Sequence, residues 1–262
     1  MDIRLPSSLT ASRDGEIAIL RLSRPEKRNA LDVATVEGLQ RFFTAIPPNV
    51  RAVVMHGEGA HFCAGLDLGD VVESQSLYDS IQHSRLWHQA FRDIQFGRVP
   101  VICVLHGAVV GGGFELAAAT HVRVAEASAY YGLPEGQRGI FLGGGGSVRL
   151  PRLIGLSLVQ DLMLTGRTLS AAEGQAAGAS QYLVGAGEGL AKATALARRI
   201  AANAELTNFA VMHVLPRIAE SDPAAGLMTE ALMAAIATAT PDAQQRLRDF
   251  LEKRAAKVKP DV

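Results

Sequence analysis

Glu115 and Glu135 each lie beside backbone that glycine frees for close approach. Gly111-Gly112-Gly113 runs directly into Phe114-Glu115-Leu116, and Glu135 sits within Gly132-Leu133-Pro134-Glu135-Gly136. A second glycine-rich loop, Gly57-Glu58-Gly59-Ala60-His61-Phe62-Cys63-Ala64-Gly65-Leu66-Asp67-Leu68, occurs earlier in the chain. Two such loops can aim two backbone N–H groups at one point, which stabilises negative charge developing on a carbonyl oxygen. Carboxyl groups beside that point supply proton transfer. The combination suits enolate chemistry on an acyl group.

Both loops need rigid elements behind them, and the flanking sequence has the right periods. Ala52-Val53-Val54-Met55 and Val101-Ile102-Cys103-Val104-Leu105 read as apolar strands that each exit into a glycine loop. Phe114 to Ala119 reads as a helix, so Gly112 falls where free N–H groups and the positive end of the helix dipole point outward. Upstream, Ile17 to Leu22 reads as a strand and Val33 to Ala45 as an amphipathic helix. Leu77 to Ile94 carries a looser helical stripe, and Val122 to Ala125 is a short strand. From Leu156 onward the pattern predicts helices: Leu158 to Leu164, Ala171 to Ala177, Leu190 to Ala202, Leu206 to Ala219, Ala224 to Thr238 and Ala243 to Ala256. This predicts a layered α/β core over residues 1–187 and a helical region over 188–262, divided near Gly185-Ala186-Gly187.

The chain has 262 residues, 48% hydrophobic and 20% charged, enough for a sizeable core. Lys+Arg 26 balance Asp+Glu 26, so no general electrostatic attraction to nucleic acid or anionic membrane is expected. No segment reaches the roughly 18 apolar residues of a membrane span. Cys63 and Cys103 are too few for a disulfide-stapled domain, and a reduced, cytoplasmic setting is expected. The seven histidines form no metal signature, and no metal site is expected.

Four segments in order resemble the enoyl-CoA hydratase/isomerase (crotonase) family: Leu22-Ser23-Arg24-Pro25-Glu26-Lys27-Arg28-Asn29-Ala30-Leu31, the two glycine loops, and Phe250-Leu251-Glu252-Lys253-Arg254. The resemblance covers nearly the whole chain. It implies a spiral of ββα units followed by a helical trimerisation region, and assembly as a homotrimer or dimer of trimers. It places the two oxyanion donors at the N–H groups of Leu66 and Gly112. It makes Glu115 and Glu135 the two catalytic glutamates, Glu115 activating water and Glu135 protonating Cα. Gly143 matches a glycine whose N–H positions that water, although Phe141-Leu142-Gly143-Gly144-Gly145-Gly146-Ser147 lacks the proline that many relatives carry before it.

The same resemblance implies that coenzyme A is met as part of an acyl-CoA thioester substrate, with no separate cofactor. Lys27 and Arg28 would meet its phosphates. The carbonyls of Ala64 and Leu66 would accept from the adenine amino group. Phe250 and Lys253 would reach the CoA of a neighbouring subunit. Trp87 and Phe91, on the helix after the first loop, are candidates either for acyl-pocket lining or for a plain core role. The leading expectation is an enoyl-CoA hydratase. Isomerisation, thioester hydrolysis and lyase chemistry remain sister reactions on one scaffold. RNA binding, known in some relatives, is disfavoured by the balanced charge.

Overall fold

The structure is a computed structural model that describes residues 3–69 and 76–254. The chain divides into two compact units, Met1–Ala201 and Ala202–Val262.

In the first unit, β1 (Leu9–Asp14), β2 (Ile17–Leu22), α1 (Val33–Thr44), β3 (Ala52–Gly57), α2 (Leu77–Gln95), β4 (Val101–Leu105), β5 (Ala108–Val110) and α3 (Gly112–Ala118) follow one another. Then come β6 (Val122–Glu126), β7 (Tyr130–Gly132), α4 (Gly146–Ile154), α5 (Leu156–Thr165), β8 (Thr168–Ser170), α6 (Ala171–Ala177), β9 (Tyr182–Val184) and α7 (Gly189–Ala201). Six strands form one sheet in the order β1-β2-β3-β4-β6-β9, and β5-β7-β8 form a second. In the large sheet only β1 and β2 pair antiparallel; the other neighbours are parallel.

Alternation along the central strands sorts their side chains to two faces. Val53 and Met55 of β3, with Val101, Cys103 and Leu105 of β4, join Val36, Leu39 and Phe42 of α1 and Phe91 and Ile94 of α2 in one core. The intervening Ala52, Val54, Ile102 and Val104 join Ala193, Leu196, Ala197 and Ala201 of α7 in another. Covering both faces is why these strands read as continuous apolar runs rather than alternating ones. It also explains a difference from the sequence-based boundary. The division falls at Ala201/Ala202 rather than at 187/188, because α7 buries its apolar stripe on the sheet and belongs to the core unit. The expected all-helical stretch after Leu156 likewise contains β8 and β9. Each has three residues, too few to show a period of two.

The second unit holds α8 (Glu205–Phe209), a π-helical turn at Ala210–Val214, α9 (Leu215–Glu220), α10 (Pro223–Thr238) and α11 (Pro241–Leu251). Asp222 caps α10 by accepting from Ala224 and Ala225 N–H, and Thr240 caps α11 by accepting from Ala243 N–H. The expected helix to Ala256 ends at Leu251; Ala255 and Ala256 lie outside the described residues. Among the described residues of this unit Met212 is the one buried hydrophobic side chain, whereas Leu227, Met228, Leu232 and Ile236 of α10 are exposed. No helix among the described residues is long and apolar enough to cross a membrane.

Candidate active site

β3 and β4 are adjacent and parallel, so the loops leaving their C-terminal ends emerge side by side. Three backbone bonds join them: Phe62 N–H to His106 O at 2.7 Å, Cys63 N–H to Ala108 O at 2.9 Å and Val110 N–H to Cys63 O at 3.1 Å. The first loop is anchored on its other side to residues before α1. Leu31 N–H donates to Gly65 O at 2.8 Å and Asp67 N–H to Leu31 O at 2.9 Å. This parallel bridge uses residues 65 and 67 and turns the Leu66 N–H the other way, toward Gly112. A Cβ built on Gly112 would lie 3.3 Å from Leu66 N and 2.7 Å from Trp87 Cζ3, so only glycine fits. Gly111, at φ 54° and ψ −125°, adopts a backbone shape that glycine alone tolerates well and starts α3 at Gly112. Gly112 is therefore the first helical residue, whose N–H has no partner within the helix. The two expected donors stand next to each other and unengaged.

The Arg24–Leu31 segment locks this arrangement. The Arg24 guanidinium bonds Asp32 and Asp67, each at 3.0 Å, and the Ala30 carbonyl at 2.9 Å. Buried Asn29 donates to Glu58 O and His61 O at 2.9 and 2.7 Å and accepts from Arg24 N–H. The sequence reading assigned this segment to CoA alone and missed its positioning role. An arginine and an asparagine flanking a proline turn carry no periodic signal that predicts such contacts.

Glu115, in the first turn of α3, is only 3% exposed. Its Oε1 accepts from Gly144 N–H at 2.9 Å and Gly146 N–H at 2.7 Å, and the Gly143 N–H also donates to the carboxylate. Burial raises its pKa above the usual carboxylate value, against the opposing pull of these three N–H groups and the nearby Arg149 charge. The glycines are sterically required here: a Cβ on Gly146 would lie 2.6 Å from Glu115 Cγ. Arg149 in turn donates to Gly144 O at 3.0 Å and Gln95 Oε1 at 2.7 Å, fixing the strand of donors.

Glu135 heads the 3-10 turn Gly136–Arg138 and is 6% exposed. Its Oε2 is buried with no hydrogen-bond partner among the described residues. Burial, reinforced by the Glu115 charge, raises its pKa to about 7, against weaker opposing effects of its own backbone N–H and Arg138. Its Oε1 lies 2.8 Å from where a Cβ on Gly111 would sit, so it faces the turn that begins α3.

Leu66, Gly112, Glu115, Glu135, Gly143 and Trp87 all line one cleft of about 770 Å³. Phe91 does not line it but packs edge-on behind Trp87, ring centroids 5.5 Å apart. A second cavity of about 260 Å³ is lined by Arg28, Tyr130, Pro134 and Thr168, and shares Ala64 and Arg138 with the first. Lys27 is exposed on the preceding turn and lines neither cavity. Phe250 and Lys253 belong to the second unit, exposed at the end of α11 and just after it. Cys63, beside the first loop, is fully buried and its thiol is pushed up to about 12 by burial, which makes it a packing residue and a poor nucleophile. Among the described residues no group of three His, Cys, Asp or Glu side chains is placed to hold a metal ion.

Comparison with known proteins places this geometry in context. The family model described as Enoyl-CoA hydratase/isomerase matches residues 12–260. Enoyl-CoA hydratase EchA19 of Mycobacterium tuberculosis H37Rv is 32% identical over 262 residues, covering 95% of each chain. The 2,3-dehydroadipyl-CoA hydratase of Escherichia coli K12 is 32% identical over 250 residues, covering 95% of this chain and 97% of that protein. A crystal structure from Rhodopseudomonas palustris CGA009 is 53% identical with a TM-score of 0.93 and covers 98% of this chain and 100% of that one. The enoyl-CoA hydratase of Bacillus anthracis is 30% identical with a TM-score of 0.88, covering 94% and 96%. The chain belongs to the enoyl-CoA hydratase/isomerase family.

Proposed function

We propose that the protein is an enoyl-CoA hydratase, adding water across the 2,3 double bond of an acyl-CoA thioester. The observation that carries this reading is the unequal surroundings of the two carboxyl groups beside the paired Leu66 and Gly112 amides. Burial raises the pKa of both, but at Glu115 three N–H donors oppose the rise and support the charged form, whereas Glu135, with an oxygen unpartnered among the described residues, is raised to about 7. One base and one acid are what hydration needs.

The steps balance as follows. Glu115 takes a proton from water as the water oxygen bonds C3. The double-bond electrons move through C2 onto the thioester oxygen, where the Leu66 and Gly112 N–H groups stabilise the enolate. The enolate collapses as C2 takes the proton of Glu135. Gly143, whose N–H already reaches Glu115, orients the water. The names of relatives, hydratases acting on CoA thioesters, support the substrate class.

Coenzyme A enters as part of the substrate and no resident cofactor is required. Arg28 and Ala64, both lining the second cavity, hold its phosphates and adenine with Lys27 and the Leu66 carbonyl. Phe250 and Lys253 contribute to a neighbouring subunit's CoA in a homotrimer or dimer of trimers. The exposed apolar side chains of α10 supply a surface for that assembly.

Incubation with 2-enoyl-CoA thioesters is expected to abolish the conjugated absorbance and release 3-hydroxyacyl-CoA. Conversion of 3-enoyl-CoA to 2-enoyl-CoA with no 3-hydroxyacyl product overturns the hydratase reading in favour of an isomerase.

A further inference from the structure

α2 turns its first half inside out. Tyr78 and Ile81 are 68% and 49% exposed, while Leu77, Asp79, Ser80, His83 and Ser84 line the cleft, which Leu66, Leu68, Ile140 and Phe141 line from other elements. Ser80, His83, Ser84 and Trp87 follow the i, i+3, i+4, i+7 spacing of one helical face, so a continuous polar strip looks into the cavity. An amphipathic helix beside a pocket for a plain hydrocarbon chain would present the opposite face.

Within this strip, Ser84 has a hydroxyl that can engage a ligand. The hydroxyls of Thr44, Ser80, Thr165, Thr194, Thr229 and Thr238 each bond the carbonyl four residues back in their helices. Ser84 makes no such bond, nor any other to a described residue. Its Oγ instead lies 3.3 Å from the position a Cβ on Gly143 would take, at the wall of the site. His83 Nε2 and Trp87 Nε1 on the same helix are closed off from solvent and cleft alike, without a hydrogen-bond partner among the described residues. Trp87 packs on Gly112 and Gly144 through its benzo ring, leaving the nitrogen on its other ring.

This strip lies on the acyl side: the second cavity, where Arg28 stands, contains no α2 residue. Its only acidic member, Asp79, argues for an uncharged partner over a carboxylate. Resting on the hydratase reading for what occupies the cleft, we propose that the acyl group carries a neutral hydroxyl, which Ser84 engages directly. A site built around a hydroxyl rejects the analogue that lacks it.

Binding of non-reacting saturated thioesters separates this from the reaction itself. Calorimetric titration with hexanoyl-CoA, adipyl-CoA and 4-, 5- and 6-hydroxyhexanoyl-CoA is expected to give at least about tenfold tighter binding for one hydroxylated member than for the other two classes. In Ser84→Ala, which removes a hydroxyl that the fold does not use, that preference should shrink at least about fivefold. Equal or tighter binding of hexanoyl-CoA, tighter binding of adipyl-CoA, or an unchanged preference in Ser84→Ala overturns the proposal. A hydroxyl preference without hydration of any enoyl thioester supports this pocket while defeating the hydratase reading. Hydration with no hydroxyl preference does the reverse.

Discussion

The pocket around Glu115 and the pocket around Glu135 both bury a carboxyl group almost completely, yet they are built in opposite ways. Around Glu115 the Gly143–Gly146 run strips away side chains so that successive N–H groups converge on one carboxylate. Around Glu135 burial comes with no donor to Oε2, and the proton is retained until about pH 7. Burial raises the pKa of both carboxyl groups, but at Glu115 the N–H groups and Arg149 oppose that rise, as nothing comparable does at Glu135 Oε2 among the described residues. In the proposed reaction this pairing sets a base on one side of the double bond and an acid on the other.

Breaking the base should have the largest effect. Glu115→Gln keeps shape and an accepting oxygen but removes the proton acceptor, so hydration should fall about 10²-fold or more. Glu135→Gln should suppress isomerisation as well as hydration. Unchanged hydration by a folded Glu115→Gln protein would remove the base from the proposal.

The stability difference between the two pockets is also measurable. Glu135 holds its proton more tightly when folded, at about 7, than at its ordinary 4.5. Its contribution to stability is therefore full below about 4.5 and is lost as pH rises through about 7, on the order of 3 kcal/mol. Denaturant titrations of the wild type should show this decline relative to Glu135→Gln, which has no such proton. Parallel pH profiles for the two proteins would show that Glu135 ionises normally.

Catalysis should follow the same group. Because hydration consumes the Glu135 proton, its rate should fall roughly tenfold per pH unit above about 7. Dehydration of 3-hydroxyacyl-CoA uses the same singly protonated pair with the proton on Glu115, so its kcat/KM should fall in parallel. Stopped-flow rates in both directions test this, and hydration that stays constant with pH above about 7 would refute the acid assignment. The smallest expected effect is positional. In Gly146→Ala the new Cβ meets Glu115 Cγ at 2.6 Å, so the carboxylate must shift and hydration should drop several-fold with little change in KM. A KM change alone would place the disturbance in binding.

The sequence by itself determined the large elements and the chemistry they carry. Runs such as Val101–Leu105 and the stripe of α1 are long enough for their periods to show. A glycine run before an acidic helix is readable because only glycine permits such close backbone approach. Tertiary structure alone decided what those residues meet. The strands β5, β7, β8 and β9 are only three residues long and exist through pairing with distant partners. Helix α7 joins the core unit because the second face of the sheet needs covering, a demand that no local pattern states. The carboxyl groups look alike as letters. Their surroundings differ because amides from about thirty residues away reach Glu115, while among the described residues none reaches Glu135 Oε2. Pattern reports which side chains are apolar or flexible; a pKa depends on which dipoles replace water in three dimensions.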